Sequence, residues 1–391
     1  MKRLRTQVGI VGAGPAGLTL AHLLDRVGIE SVMLEDRSRD YVEHRIRAGV
    51  LEHGTVELLR ESGVGERMDS EGILHHGISL QFEGERHRIA LTDLAGGRSI
   101  VIYGQTEVVK DLIGARLERG LPLLFEVDGV SVRGFDGDEP AIAFRHEGEE
   151  QELRCDVIAG CDGFHGVCRP AIAPVLRTFE REYPFAWLGI LAEAPPSSDE
   201  LVYAHHERGF ALLSLRSPHL SRLYLQCRPD ENLDGWPEDR IWDELRTRTA
   251  LDGWSLNTGP ILEQGVTGMR SFVAEPMQHG HLFLAGDAAH IVPPTGAKGL
   301  NLAIADVAVL AQALDRWYRT GDEGGLASYS ETSLRRVWRA EHFSYWMTTM
   351  LHRISEDPFD LRLQLSQLRW VTTSEAAARS LAENYVGLPI A

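Results

Sequence analysis

The sequence predicts an α/β fold in which a β-α-β domain is interrupted by strand-rich insertions and followed by a helical C-terminal region. Three observations carry that expectation. An apolar strand runs into a glycine-rich turn and a helix near the start, strand patterns fill two inner stretches, and helical periodicity dominates beyond residue 301. At 391 residues the chain exceeds what one hydrophobic core usually holds, so two or more subdomains are expected.

The first element is the β-branched run at residues 7–11, read as a buried strand. Gly12-Ala13-Gly14-Pro15-Ala16-Gly17 follows, then a helical pattern over 18–27 that ends at Gly28, a C-cap residue, and a second strand at 31–35. Between 76 and 102 strands alternate, with turns at Glu83-Gly84 and Gly96-Gly97. A helix is expected between 106 and 118, then a hairpin-like region to 158. Strands return over 183–228, turning at Glu207-Arg208-Gly209 and Ser217-Pro218. A strand-to-Gly-Asp segment occupies 281–301, and 302 to about 381 looks helical.

Composition narrows the function classes. Fifty-seven acidic against 40 basic residues give a formal charge of −17, which argues against a nucleic-acid or anionic-membrane partner. Cys155, Cys161, Cys168 and Cys227 contain no Cys-x-x-Cys pair and form no disulfide framework, so a reduced cytoplasm is expected. No metal is expected. The basic start Met1-Lys2-Arg3-Leu4-Arg5 before an apolar stretch mimics a signal peptide, but Gly12, Gly14, Pro15 and Gly17 interrupt it. No segment offers the ~20 apolar residues that span a bilayer.

Each glycine of the first turn has a mechanical reason. Gly12 makes the tight turn, Gly14 admits a pyrophosphate to the backbone beside Ala16, and Gly17 lets helix and strand pack closely. Glu35 stands where a ribose hydroxyl would be bound. This points to a dinucleotide without saying which. Two further turns share the logic: Gly160-Cys161-Asp162-Gly163, and Gly286-Asp287 after the strand-like His281-Leu282-Phe283-Leu284-Ala285. Alone, each is also an ordinary loop.

Together the three turns resemble the signature of the flavoprotein aromatic hydroxylases. The likeness extends to Arg45-Ile46-Arg47-Ala48-Gly49-Val50-Leu51-Glu52, Tyr103-Gly104-Gln105-Thr106-Glu107, Pro293-Pro294-Thr295-Gly296-Ala297-Lys298-Gly299-Leu300-Asn301 and Glu383-Asn384-Tyr385-Val386-Gly387-Leu388-Pro389. These strings resemble the branch of that family acting on 4-hydroxybenzoate, and the resemblance covers essentially the whole chain. It implies a Rossmann-like FAD-binding domain over 1–75, 103–180 and 270–300. It also implies a β-sheet substrate domain over 76–102 and 181–269, and a helical interface region over 301–391. The implied reaction takes 4-hydroxybenzoate, NADH or NADPH and molecular oxygen to 3,4-dihydroxybenzoate through a flavin hydroperoxide, in a homodimer.

The resemblance also assigns residues. FAD would be held by Gly12, Gly14, Ala16, Gly17, Glu35, Arg45, Arg47, Gln105, Asp162, Asp287, Thr295, Lys298, Gly299, Leu300 and Asn301. Within that set Asp287 would hold the ribityl chain, and Lys298 would add positive charge at a helix N-terminus. Thr295 and Asn301 would hydrogen-bond the ring. Arg216, with Ser214 and Tyr224, would clamp the substrate carboxylate. Tyr203 would stabilise the ionised phenol, Tyr385 would continue a proton relay, and His75 would stand at its solvent end. Pro294 would border substrate and flavin, and Arg222 would bias the flavin's swing. Reduced nicotinamide would meet Asp36, Arg37, Tyr41, Arg45, His165, Arg169 and Arg270. Asp36 departs from the family's pattern, because NADPH-preferring relatives carry a basic residue there. NADH is therefore expected to serve at least as well. Other readings are a hydroxylase of a different hydroxybenzoate or phenol, a dehydrogenase or oxidase, and a flavin-binding redox sensor without turnover.

Overall fold

The computed structural model describes residues 2–45 and 49–390. Its centre is a six-stranded sheet in the order Gln278–His279, Leu282–Leu284, Val157–Gly160, Val8–Val11, Ser31–Leu34 and Leu123–Leu124. All neighbours run parallel except the Gln278–His279 edge. Val8–Val11, Ser31–Leu34 and Val157–Gly160 are buried throughout, as expected of parallel strands covered on both faces. Helices Pro15–Arg26, Gln105–Glu118 and Gly299–Thr320 join this core. A four-stranded sheet of Lys2–Arg5, Glu149–Arg154, Ala141–His146 and Asp128–Arg133 packs nearby. At Gly9 a Cβ would lie 2.7 Å from the Ile142 side chain, so the bare backbone lets the two sheets meet.

An eight-stranded sheet forms the second layer, in the order His290–Ile291, Ile261–Glu275, Arg177–Ala192, Leu220–Cys227, Ala211–Ser217, Val202–Ala204, Ile78–Phe82 and Glu85–Ile89. Both insertions thus share one sheet, joined where Val202–Ala204 pairs with Ile78–Phe82. The boundaries expected at 180/181 and 269/270 fall inside two continuous strands. Arg177–Ala192 pairs with Ile261–Glu275 along nearly its whole length, with the register shifting between Glu182 and Ala186. That irregularity, at Pro184, is the local break that read as a strand start near 183.

Helix Glu238–Arg248 had no counterpart in the sequence reading. Its Ile241, Trp242 and Leu245 cover one face of the sheet, against Leu188, Ile190, Leu213 and Leu225. The opposite face carries Trp187, Tyr203, Phe210 and Leu212, and is covered by helices Tyr329–Leu351, Pro358–Thr373 and Glu375–Tyr385 through Phe343, Met347, Leu368 and Leu381. The site is built on that second face. Among the described residues, no helix is long and apolar enough to cross a membrane.

Candidate active site

The three glycines of the first turn do two different jobs. At Gly12, with φ +102°, a Cβ would lie 2.3 Å from the Cys161 carbonyl oxygen; at Gly17 it would lie 2.1 Å from the Gly12 carbonyl oxygen. Both positions are glycine because protein backbone occupies the space. At Gly14 a Cβ would meet nothing within 4 Å. The space there is open, in front of a helix whose first intrahelical bond runs from Leu18 N–H to Gly14. The N–H groups of Ala16 and Gly17 precede that bond and point out of the helix end, a built-in anion site. Glu35 braces the turn. Its Oε2 accepts from Ala13 N–H at 2.6 Å and its Oε1 from Arg37 N–H at 3.0 Å, and burial pushes its carboxyl up from the ordinary range.

Asp162 and Asp287 follow the next two strands on one side of this turn. Asp162 Oδ2 accepts from Val167 and Cys168 N–H at 2.6 and 2.9 Å, while its buried Oδ1 has no partner among the described residues. Burial raises its carboxyl. Asp287 is exposed after Gly286, which adopts φ +62°. Gly286 N–H is held by Asp306 at 3.0 Å, and Asp306 in turn pairs with His290 at 2.6 Å, both side chains buried. Sequence reasoning missed Asp306. It sits in the predicted helix without a motif, and its only signal is an acid on an otherwise apolar stripe.

The third element is the N-terminus of helix Gly299–Thr320. Lys298 is its N-cap residue, and the first intrahelical bond starts at Leu302, so the N–H groups of Gly299, Leu300 and Asn301 emerge from the end. Two side chains at this end are committed within the protein. The Lys298 ammonium does not project with these donors: it binds Glu52 Oε1 at 2.7 Å, the Tyr385 carbonyl at 3.0 Å and the Asn384 carbonyl. The Asn301 side chain is likewise committed, accepting from Glu52 N–H and donating to the Val50 and Ala297 carbonyls, all at 2.9 Å. A buried amide or ammonium must satisfy its hydrogen bonds, and the Val50–Glu52 stretch supplies them. What Asn301 presents at the helix end is its backbone N–H. Thr295 is buried and accepts from Thr348 at 2.9 Å, while Pro294 is exposed.

Facing this is the eight-stranded sheet. Leu212 lies opposite both Tyr203 and Tyr224, and Ser214 lies opposite Arg222. Because side chains alternate along a strand, Leu212 and Ser214 share one face with Tyr203, Arg222 and Tyr224; the register shifts between Leu215 and Ser217, and Arg216 interacts electrostatically with Tyr224 and Arg222. Arg216 is largely buried, and burial pulls its guanidinium down, though Tyr224 opposes this. It stays charged, since Arg does not deprotonate in proteins. A Cβ at Gly104 would lie 3.4 Å from Arg216 Nη1, which brings the segment before Gln105 against this face. Arg222 has Nε and Nη1 buried without hydrogen bonds among the described residues, with Glu263 3.8 Å away and the Tyr224 ring 5.5 Å below. At the other end Tyr203 and Tyr385 touch hydroxyl to hydroxyl at 2.5 Å, both wholly buried. Burial raises both phenols far enough that they are neutral at physiological pH.

Residues 5–344 match the family model described as an FAD binding domain. Over 392 aligned residues the chain is 48% identical to p-hydroxybenzoate hydroxylase of Acinetobacter baylyi, covering 100% of this chain and 97% of that protein. The chain belongs to the flavoprotein aromatic hydroxylases. A more distant relative, the 3-(3-hydroxy-phenyl)propionate/3-hydroxycinnamic acid hydroxylase of Mycobacterium sp. strain JLS, is 26% identical, covering 79% of this chain and 54% of that protein. In fold, the hydroxylase matches p-nitrophenol 4-monooxygenase from Pseudomonas putida DLL-E4 with a TM-score of 0.84, at 19% identity and 98% and 97% coverage of the two chains.

This hydroxylase therefore uses FAD, and its residues fit the group. The open cradle at Gly14, the two helix N-termini, the Asp162 Oδ1 without a partner among the described residues and the exposed Asp287 are each suited to phosphate, sugar or ring. Arg47 lies outside the described residues, and Gln105 opens helix Gln105–Glu118. The other nicotinamide candidates form two groups. Asp36, Arg37, Tyr41 and Arg45 are exposed together. Arg37 Nε lies 3.4 Å from Asp36, and the Tyr41 ring has Arg37 at 5.5 Å and Arg45 at 5.9 Å. His165, Arg169 and Arg270 gather around Phe164, but Arg169 donates to the Ala288 and Phe164 carbonyls. One further expectation needs correcting. His75 is not at solvent: it is fully buried, both ring nitrogens lack partners among the described residues, and burial lowers its imidazole to about 4. Strand Ile73–His75 turns it inward, and the exposed neighbour is His76, bonded to Thr92 at 3.1 Å.

Proposed function

We propose that this hydroxylase converts 4-hydroxybenzoate to 3,4-dihydroxybenzoate at the expense of a reduced nicotinamide and molecular oxygen. The observation that carries the reading is a sheet face with cations at one end and a paired phenol relay at the other. Arg216, Ser214 and Tyr224 would bind a carboxylate, and Tyr203 with Tyr385 would bind a hydroxyl at the far end of the same ring. Polar groups at opposite ends of one ring describe a para-substituted benzoate. The 48% identical relative, itself named for that substrate, supports the same choice.

FAD, when bound, supplies the hydride acceptance and oxygen activation that no side chain can perform. The chain's own residues do the rest. Arg216 orients the acid, and Tyr203, held neutral by burial, hydrogen-bonds the substrate oxygen and favours its ionised form. Tyr385, hydroxyl to hydroxyl with Tyr203, is the second member of the relay; His75, buried and neutral at physiological pH, has no hydrogen bond to it among the described residues. Glu35, Asp162, Asp287 and the N–H groups of Gly299, Leu300 and Asn301 would hold the cofactor. Asp36 would turn the adenosine end toward NADH, its carboxylate opposing a 2′-phosphate.

In the same reading the six-stranded sheet is the cofactor part and the eight-stranded sheet the substrate part. The helical region pairs two copies through Phe359, Leu363 and Trp370, which are 67%, 51% and 55% exposed along one helix. The protein would work in the cytoplasm, where its four free cysteines stay reduced. The test follows substrate-dependent NADH and NADPH oxidation while the product is identified by chromatography. Formation of 3,4-dihydroxybenzoate from 4-hydroxybenzoate supports the reading. Turnover of 3-hydroxybenzoate alone, or peroxide without hydroxylated product, would replace it.

A further inference from the structure

We propose that Arg336, whose contacts are to Glu52 and the carbonyls of Leu388 and Pro389, is a positioning residue for the Tyr385 hydroxyl. This rests on the reading of Tyr203 and Tyr385 as the phenol relay. Tyr385 is the last residue of helix Glu375–Tyr385, so it belongs to the turn most prone to fray, and the carbonyls there lack helical partners. In this protein six consecutive carbonyls are all taken. Lys298 donates to those of Asn384 and Tyr385, and His53 N–H to that of Val386 at 3.0 Å. Arg98 takes Gly387 at 2.8 Å, and Arg336 takes Leu388 and Pro389 at 3.0 and 2.9 Å.

The same guanidinium also reaches Glu52 Oε2 at 3.3 Å, while Lys298 holds Glu52 Oε1. Gly387 turns with φ +87° directly against that carboxylate: a Cβ there would sit 1.9 Å from Oε2. Arg336 therefore grips the segment beyond Tyr385 and the carboxylate that segment wraps around. Removing it frees two carbonyls and leaves Glu52 with one cation. The hydroxyl contact to Tyr203 is directional, and a shift of about 1 Å is enough to break it. Arg336 would thus act on phenol ionisation from outside the site.

The experiment uses the holoenzyme and titrates bound 4-hydroxybenzoate by ultraviolet difference spectroscopy, which separates phenol from phenolate. Arg336→Met should raise the apparent pKa of the bound phenol by about one unit, a roughly tenfold loss of phenolate near neutrality. kcat at pH 7 should fall accordingly and recover at higher pH, with KM for substrate within about twofold of the original. Arg336→Lys should recover part of the shift. Tyr385→Phe, measured alongside, separates the two failures. If Tyr385→Phe moves the ionisation and Arg336→Met, retaining its FAD and folding, does not, the positioning role is wrong. If Tyr385→Phe itself has no effect, the relay reading falls. Should Arg336→Met fail to fold, Arg98→Gln decides: a smaller upward shift supports the clamp, and an unmoved ionisation overturns it.

Discussion

Gly14 and Gly17 stand three residues apart in one turn, yet they should fail in opposite ways. A methyl group at Gly14 meets no protein atom within 4 Å, and the backbone there is extended, at φ −77° and ψ −177°, where any residue is at ease. Gly14→Ala should leave the deflavinated protein as stable as before, or raise its stability by about 0.4–1 kcal/mol through the unfolded chain. The same methyl fills the cradle into which the pyrophosphate must come. An overpacking cost of about 2–3 kcal/mol corresponds to roughly 30- to 150-fold weaker FAD binding. At Gly17 the methyl would lie 2.1 Å from the Gly12 carbonyl oxygen, so Gly17→Ala must pry helix from strand. It should cost stability directly, by about 2 kcal/mol or more. Thermal unfolding of deflavinated protein and FAD fluorescence titration read the two quantities separately. FAD binding by Gly14→Ala within about threefold of the original would refute the assignment of that open space to the pyrophosphate.

Three further outcomes are expected. Asp36→Arg should shift the ratio of kcat/KM toward NADPH by about tenfold or more, the worth of one removed repulsion and one added ion pair; an unchanged ratio would move the nicotinamide's adenosine end elsewhere. Burial raises the Glu341 carboxyl from 4.5 to about 7, so the folded state keeps its proton longer than the unfolded state does. Stability should therefore fall as pH rises through that interval, by up to roughly 3 kcal/mol, and Glu341→Gln should raise Tm at pH 8 but not at pH 4.5. For the proposed dimer, Phe359→Asp combined with Leu363→Asp should yield a monomer by light scattering with its FAD retained, whereas an unchanged dimeric mass would place the contact on another surface.

How far the sequence disclosed these features depended on the range of the interaction. The glycine turn was legible because its reasons are local: Gly12 and Gly17 answer to backbone within one β-α unit and the strand beside it. Strand alternation likewise carried Ser214 to one face, together with Tyr224 across the register. The side-chain partners of Lys298 and Asn301 were not legible because Glu52 and Val50 are about 250 residues away, and no spacing rule reaches that far. His75 was misplaced by a smaller error. A two-histidine run at a strand end leaves open which ring turns inward, and the pairing of His75 with Ile100 settles it. Helix Glu238–Arg248 was overlooked although Glu238 and Asp239 in its first turn and the Ile241, Trp242, Leu245 spacing mark one.

The polar groups left without partners say most about what the site is for. A buried donor without a hydrogen bond costs about 1–3 kcal/mol, and a sequence under no functional demand would remove it. Among the described residues Arg222 leaves Nε and Nη1 without hydrogen bonds beside Ser214, with Glu263 3.8 Å from Nη1, and Asp162 leaves its acceptor Oδ1 likewise unmatched. Lys298 shows the contrast: its charge is spent on Glu52 and two carbonyls, so it adds little field to the helix end above it. Any negative charge on the flavin ring would then be met by the aligned N–H groups of Gly299, Leu300 and Asn301, which are directional and need no rearrangement. The Lys298–Glu52 pair serves geometry instead. It ties the end of helix Gly299–Thr320 to the carbonyl of Tyr385, so a displacement at either place is felt at the other.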